Sequence, residues 1–177
     1  MPTISTPRLR LVPVDRSNAP ALWRMMQRAE LRTYQDLPTM DCAQFVALMA
    51  SRGAHFEPGR SGRYEWLVER SDDGVAVGWV SLRVGERSGD SGEIGYSLLA
   101  EHRGKGFATE AVSALIDAAF AQGKLRSVRA YCLPENQASR ELLRRLGFRE
   151  DGVLKHGASL RGRAVDVISH ALEASPG

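Results

Sequence analysis

The first regular pattern along the chain is the alternation of apolar and polar positions in 8–14 (RLRLVPV), which predicts a strand. At Ser17-Asn18-Ala19-Pro20 it gives way to helical spacing through Leu22, Met25, Met26 and Ala29. Proline suits that first turn because the N–H it lacks would have no intrahelical partner there. Asp41 and Gln44 stand at capping-box spacing ahead of Phe45, Leu48 and Met49, predicting a short helix over about 42–52. Residues 53–62 (GAHFEPGRSG) read as a loop.

From residue 63 the period is two. RYEWLVER, then VAVGWVSLRVG after the Asp73-Gly74 turn signal, then GEIGYSLL after the Ser/Gly/Asp cluster 88–92, predict three consecutive antiparallel strands. Apolar residues at Ala108, Ala111, Val112, Leu115, Ile116, Ala119 and Phe120 then mark an amphipathic helix, with Gly123 as its stop. SVRAYCL (127–133) predicts a strand, followed by a turn at Pro134-Glu135-Asn136. A helix follows with Leu142, Leu143 and Leu146 facing inward and Gly147 ending it. Segments near 149–155 and 163–172 again read as extended. The pattern is that of one mixed α+β domain spanning 1–177, without repeats or linkers.

Composition narrows the classes of function. The 177 residues suffice for an ordinary buried core. No apolar run approaches the roughly 20 residues needed to span a bilayer, and Arg8 and Arg10 stand where a signal peptide would need an apolar stretch. A cytoplasmic protein without membrane partners is expected. A net charge of +3, evenly spread, gives no basic stripe for nucleic acid. Cys42 and Cys132 lack CxxC or Cys/His spacing, and His55, His102, His156 and His170 lie apart, so no metal site is expected and the thiols are read as reduced and buried. Trp23, Trp66 and Trp79 fit core positions, and Arg140, Arg144, Arg145 and Arg149 fit a solvated face, with contact to a phosphate or to an acidic acceptor as the alternative.

The chemistry concentrates in Glu101-His102-Arg103-Gly104-Lys105-Gly106-Phe107-Ala108-Thr109-Glu110, between a strand ending near Leu99 and the strongest helix. Glycines at 104 and 106 let backbone N–H groups converge on an anion, and the positive end of the helix dipole reinforces the attraction. The stretch lacks the spacing of a P-loop, and no parallel βαβ series accompanies it. Arg103-x-x-Gly106-x-Ala108 resembles the Q/R-x-x-G-x-G/A signature of the GNAT superfamily of acyl-CoA-dependent N-acetyltransferases, and Gly104 to Ala111 is similar to the form in its RimJ/RimL-like branch. Arg8-Leu9-Arg10-Leu11, Gly92-Glu93-Ile94-Gly95-Tyr96, Asn136-x-x-Ser139 with Leu146-Gly147-Phe148, and Asp166 extend the resemblance over most of the chain.

The resemblance implies a GNAT fold: a central, mostly antiparallel, splayed sheet flanked by helices. It also implies acetyl-CoA as acyl donor. Backbone amides of Arg103, Gly104, Lys105, Gly106, Phe107, Ala108 and Thr109 would hold its pyrophosphate. The pantetheine arm would pair like an added strand along 96–99, in a splay between GEIGYSLL and SVRAYCL. Gly95 fits close ligand approach or a bulge equally well.

Direct transfer to a primary amine needs a neutral nitrogen, a donor for the oxyanion and a protonated leaving thiol. An α-amine with pKa about 7.7–8.0 is far more often neutral at pH 7 than a lysine near 10.4. By the same resemblance Glu93 is the candidate base, acting through water, with loop ordering or binding of the substrate's cation as the alternative. N–H groups at Ser97 and Leu98 are candidate oxyanion donors. Asn136 is a candidate ligand of the pantetheine amide and Ser139 the candidate acid. Asn136 and Ser139 also have N-cap spacing. Tyr131 is the substitute acid, closer to a thiol in acidity than a serine. The branch points to a protein N-terminal amine of the ribosomal-protein type. A small amine or antibiotic as acceptor, or a non-catalytic acyl-CoA sensor, is the alternative. Monomer and homodimer remain open.

Overall fold

A computed structural model describes residues 2–52, 60–85, 90–122 and 124–174. In chain order it contains β1 (Ile4–Ser5), β2 (Leu9–Pro13), α1 (Ala19–Met26), α2 (Cys42–Arg52), β3 (Gly62–Arg70), β4 (Ala76–Val84), β5 (Ser91–Leu98), α3 (Phe107–Ala121), β6 (Ser127–Cys132), α4 (Gln137–Arg145), β7 (Arg149–Leu160) and β8 (Arg163–Glu173). The eight strands form one sheet in the order β1-β2-β3-β4-β5-β6-β8-β7. Every neighbouring pair is antiparallel except β5 and β6, which run parallel.

Helices cover both faces. Trp66, Val80, Leu82 and Ile94 pack with Ala111, Val112, Leu115 and Leu143 of α3 and α4, while Leu67, Trp79 and Leu99 pack with Leu22, Met26, Phe45 and Met49 of α1 and α2. Trp66 and Leu67, like Trp79 and Val80, are neighbours in sequence that enter opposite cores, because successive side chains of a strand point to opposite faces. Two covered faces explain why Tyr64 to Val68 are all buried.

Local chemistry sets the helix ends. The Gln44 N–H donates to Asp41 Oδ1 at 2.8 Å and the Asp41 N–H to Gln44 Oε1 at 3.1 Å, the reciprocal box expected from the sequence. Pro20 lies in the first turn of α1, but Asn18 does not cap with its side chain. Its Nδ2 donates to Pro13 O and its Oδ1 accepts from the Asp15 N–H, tying the helix to the end of β2. At the end of α4, Gly147 takes φ +87°, and the N–H groups of Phe148 and Gly147 donate to Leu143 O and Arg144 O at 3.0 and 3.1 Å. That geometry makes Gly147 the expected stop. The stop expected at Gly123 lies outside the described residues, as do His55 and most of the 53–62 loop; α3 ends at Ala121 with Gln122 as its cap.

Several details differ from the sequence reading. The strand β1 was not anticipated, and β7 continues to Leu160 rather than ending near 155. Cys42 is half-buried rather than buried; Cys132 is buried, and both thiols are free. His170 is fully buried, its Nε2 lying 3.5 Å from Glu150. Trp66 and Trp79 are core residues, whereas Trp23 is half-buried with Nε1 donating to Met40 O at 3.0 Å. Among the described residues no helix is long and apolar enough to cross a membrane, and no His/Cys/Asp/Glu group has the arrangement of a metal site.

Candidate active site

The turn before α3 carries two left-handed residues, Gly104 at φ +74° and Gly106 at φ +80°. Side chains other than glycine adopt this region at a cost, so the turn depends on both. Gly106 is the N-cap of α3 and offers no side-chain acceptor, while its carbonyl accepts the first helical N–H, from Glu110, at 3.0 Å. The N–H groups of Phe107, Ala108 and Thr109 therefore have no acceptor within the helix, which leaves an anion site at the positive end of a 15-residue helix. The flanking side chains brace the turn: Arg103 Nε donates to Leu98 O at 3.2 Å and Lys105 Nζ to Glu101 O at 3.1 Å. Arg8 lies over the Phe107 ring, 4.9 Å from its centroid.

A gap opens beside this turn. β5 and β6 pair only at Ser91–Ser127, Gly92–Val128 and Glu93–Arg129, and their ladder ends there. On its other edge β5 stays paired with β4 from Gly92 to Leu98 without a register shift. There is thus no bulge at Gly95, where an added Cβ would meet Ser81 Oγ at 2.8 Å. The Leu99 N–H donates to Val77 O of β4. Because residues of an antiparallel ladder turn their polar groups alternately toward and away from the partner, Ser97 points its N–H at β4, whereas Tyr96 and Leu98 point theirs into the gap. Of the two donors expected at Ser97 and Leu98, only Leu98 faces the open edge.

The expected chemical residues lie on two faces of the sheet. Glu93 and Tyr131 line a cavity of about 690 Å³ together with Arg63, Arg83 and Arg129, and Arg83 Nη2 donates to the Glu93 carboxylate. Ser139 is on α4, against the opposite face. Asn136 is the N-cap of α4, its Oδ1 accepting the Ser139 N–H at 3.2 Å. Tyr96, not singled out as a site residue from sequence, reaches from β5 to α4, its hydroxyl donating to Ser139 O at 3.5 Å. Burial pushes the Tyr96 phenol up to about 12, against a smaller opposing effect of hydrogen bonding with Ser139. Burial likewise pushes the Cys132 thiol up to about 11, which disfavours the reactive thiolate. The basic run on α4 is engaged at the surface, Arg140 with Glu150 and both Arg144 and Arg145 with Glu141. Asp166 accepts from Lys155 Nζ at 2.7 Å and from the His156 N–H at 3.0 Å, within the β7–β8 hairpin.

The family model for the GNAT acetyltransferase domain matches residues 8–149, which include the turn, both strands of the gap and the whole of α4. The chain belongs to the GNAT family. This GNAT protein is 31% identical over 173 residues to the uncharacterized N-acetyltransferase p20 of Bacillus licheniformis, covering 97% of this chain and 96% of that protein. Its structure is similar to Mycobacterium smegmatis RimJ in complex with CoA-disulfide, at 27% identity and TM-score 0.81 over 94% of this chain and 82% of that one. It shares its fold with the Salmonella typhimurium acetyltransferase that modifies the N-terminal serine of ribosomal protein L7/L12, at 22% identity and TM-score 0.80 over 98% and 99% of the two chains. The GNAT chain is accordingly an acyl-CoA-dependent N-acetyltransferase, with acetyl-CoA as donor and an amine as acceptor. The uncapped amides of α3 and the free edge of β5 fit the two polar parts of that donor, its phosphates and its amide-bearing arm.

Proposed function

We propose that this enzyme, as a single cytoplasmic domain, acetylates a protein N-terminal α-amine of the ribosomal-protein type. The observation that carries the reading is the end of the β5–β6 ladder at Glu93 and Arg129. It leaves a slot, floored on one side by β5 and leading from the phosphate turn to the cavity that holds Glu93. Seated there, the donor supplies an acyl thioester. The rest of the work belongs to side chains and amides of this chain.

The N–H groups of Gly104 to Thr109 hold the pyrophosphate, Arg103 braces the mouth of the slot, and the Tyr96 and Leu98 edge pairs with the pantetheine arm. Asn136, besides capping α4, presents its amide N–H to that arm. The Leu98 N–H polarises the thioester carbonyl. Glu93 takes the amine proton through a water, loosening its bond with Arg83 as it does so. Ser139 returns a proton to the departing thiolate, and its position beside Tyr96 ties it to the gap. Tyr131, on the cavity face, is the substitute acid.

An α-amine suits this machinery because, with a pKa of about 7.7–8.0 against about 10.4 for lysine, it needs the least help to lose its proton. The Salmonella typhimurium neighbour, which modifies an N-terminal serine, supports the same acceptor class. Mass spectrometry of synthetic peptides after incubation with acetyl-CoA tests the reading. Acetyl on the α-amine of peptides, and none on internal lysine, supports it. Modification of lysine alone, or of small amines alone, overturns it.

A further inference from the structure

Four adjacent strands carry one charged row. Arg63 on β3 stands opposite Arg83 on β4, Arg83 opposite Glu93 on β5, and Glu93 opposite Arg129 on β6. Neighbouring strands lie about 4.8 Å apart, so three guanidinium groups and one carboxylate share a strip roughly 14 Å long. All four side chains line the cavity of about 690 Å³. The strip begins where the β5–β6 ladder ends, at the acceptor's end of the slot.

The row works against the sheet that bears it. Like charges directly opposite each other weaken a strand pair, and Arg63 faces Arg83 in the β3–β4 ladder. Internal carboxylates offset the charge only in part. The buried Glu65 accepts from Arg52 Nη1 at 2.7 Å and from Arg63 Nε at 2.9 Å, so one carboxylate serves two guanidinium groups. Arg83 bonds Glu93, and Arg129 Nη1 bonds Asp151 Oδ2. Among Arg52, Arg63, Arg83, Glu65 and Glu93 one positive charge is left in excess, while Arg129 has the carboxylates of both Asp151 and Glu173 acting on it. The Arg63, Arg83 and Arg129 side chains are 50%, 58% and 44% exposed. Each guanidinium has five N–H donors and spends only one or two of them on these partners and, for Arg129, on Ser169 Oγ.

We propose that this row is an anion subsite for the acceptor: the enzyme prefers amines carrying a carboxylate near the reacting nitrogen, held by Arg63 and Arg83 while the nitrogen lies at Glu93. The inference rests on the α-amine reading above. One to two strand spacings, about 5–10 Å, separate the two ends. The α-carboxylate of a free amino acid is too close to its own nitrogen to bridge them. An acidic side chain on the second or third residue of an extended N-terminal peptide reaches, at about 3.4 Å per residue. A free amino dicarboxylate offers the same chemistry over a shorter reach.

The test is a set of peptides identical except for Asp, Asn or Lys at the second or third position, with free aspartate and glutamate alongside. The wild-type enzyme should show kcat/KM about ten-fold higher for Asp than for Asn peptides and lower still for Lys, the preference shrinking with added salt. Arg63→Gln should bring the Asp-to-Asn ratio close to one while the KM for acetyl-CoA stays within two-fold, and Arg63→Lys should restore part of the ratio. Equal rates on Asp and Lys peptides, or a preference that survives Arg63→Gln, would overturn the subsite. Faster turnover of the free dicarboxylates than of Asp peptides would replace the peptide with a small acceptor and leave the anion subsite standing. If no peptide is turned over, the α-amine reading has failed. Titration of the same peptides into the enzyme–CoA complex then decides the subsite alone: tighter, Arg63-dependent binding of the Asp peptide supports it, and equal binding overturns it.

Discussion

The guanidinium of Arg8 joins two elements that the sequence separates by about a hundred residues: its Nε donates to Glu110 Oε2 at 2.6 Å and its Nη1 to Lys105 O at 2.9 Å. Glu110 also accepts from Thr6 Oγ1 and from the Arg8 N–H. The fork thus ties the turn before α3, through the Lys105 carbonyl, to the start of β2. Arg8→Ala should therefore raise the KM for acetyl-CoA several-fold with little change in kcat. Steady-state kinetics with a saturating acceptor measures this split.

Glu110 gives the same latch a pH dependence. Burial pushes its carboxyl up, but the bonds from Thr6 and Arg8 together outweigh burial and hold it below its usual 4.5. A depressed folded-state value stabilises the fold above the unfolded value and loses that contribution as pH falls through the folded one. Wild-type and Glu110→Gln proteins should differ most in Tm near pH 7 and converge as the pH falls below the usual carboxylate range. A constant difference across thermal melts from pH 3 to 8 would show that the carboxylate's charge contributes nothing.

Gly106→Val places a β-branched side chain in the left-handed region, with its Cβ 3.3 Å from Arg8 Nη2. The strain is of order 1–3 kcal/mol. Calorimetry should show acetyl-CoA affinity falling at least ten-fold in a protein whose circular dichroism is unchanged.

The proton-transfer residues should separate from the anchors. Glu93→Gln should lower kcat by about ten- to ten-thousand-fold and recover in part toward pH 9.5, where the acceptor is already neutral. Ser139→Ala should lower kcat without that recovery. Asn136→Ala should cost about 1 kcal/mol of stability through the lost cap and also raise the KM for acetyl-CoA. Wild-type kcat in both Glu93→Gln and Ser139→Ala would move the chemistry to other residues, Tyr131 first.

What the sequence revealed, and what it hid, follows from the range of each signal. The Asp41–Gln44 box, Pro20, Gly147 and the i, i+3/i+4 spacing from Ala108 to Phe120 are local signals, and the elements they mark lie where expected, except that α1 stops at Met26 and leaves Ala29 to a separate 3-10 turn. β1 has two residues, too few for any period. β7 is exposed along nearly its whole length, so no alternation marks its continuation to Leu160. The glycine turn before α3 was legible because glycine and helix start are contiguous. Choosing Leu98 over Ser97 required the β4–β5 register, and placing Tyr96 beside Ser139 required the packing of α4 against the sheet. The row of Arg63, Arg83, Glu93 and Arg129 exists only once four strands are aligned.

The seating of the donor as an added strand between β5 and β6 is tested most directly by residue-resolved amide hydrogen exchange with and without coenzyme A. Tyr96 and Leu98, whose N–H groups face the gap, should exchange rapidly in the free enzyme and become strongly protected when coenzyme A is bound. Ser97, bonded toward β4, should be protected in both states. Unchanged exchange at Tyr96 and Leu98 under saturating coenzyme A would contradict that seating.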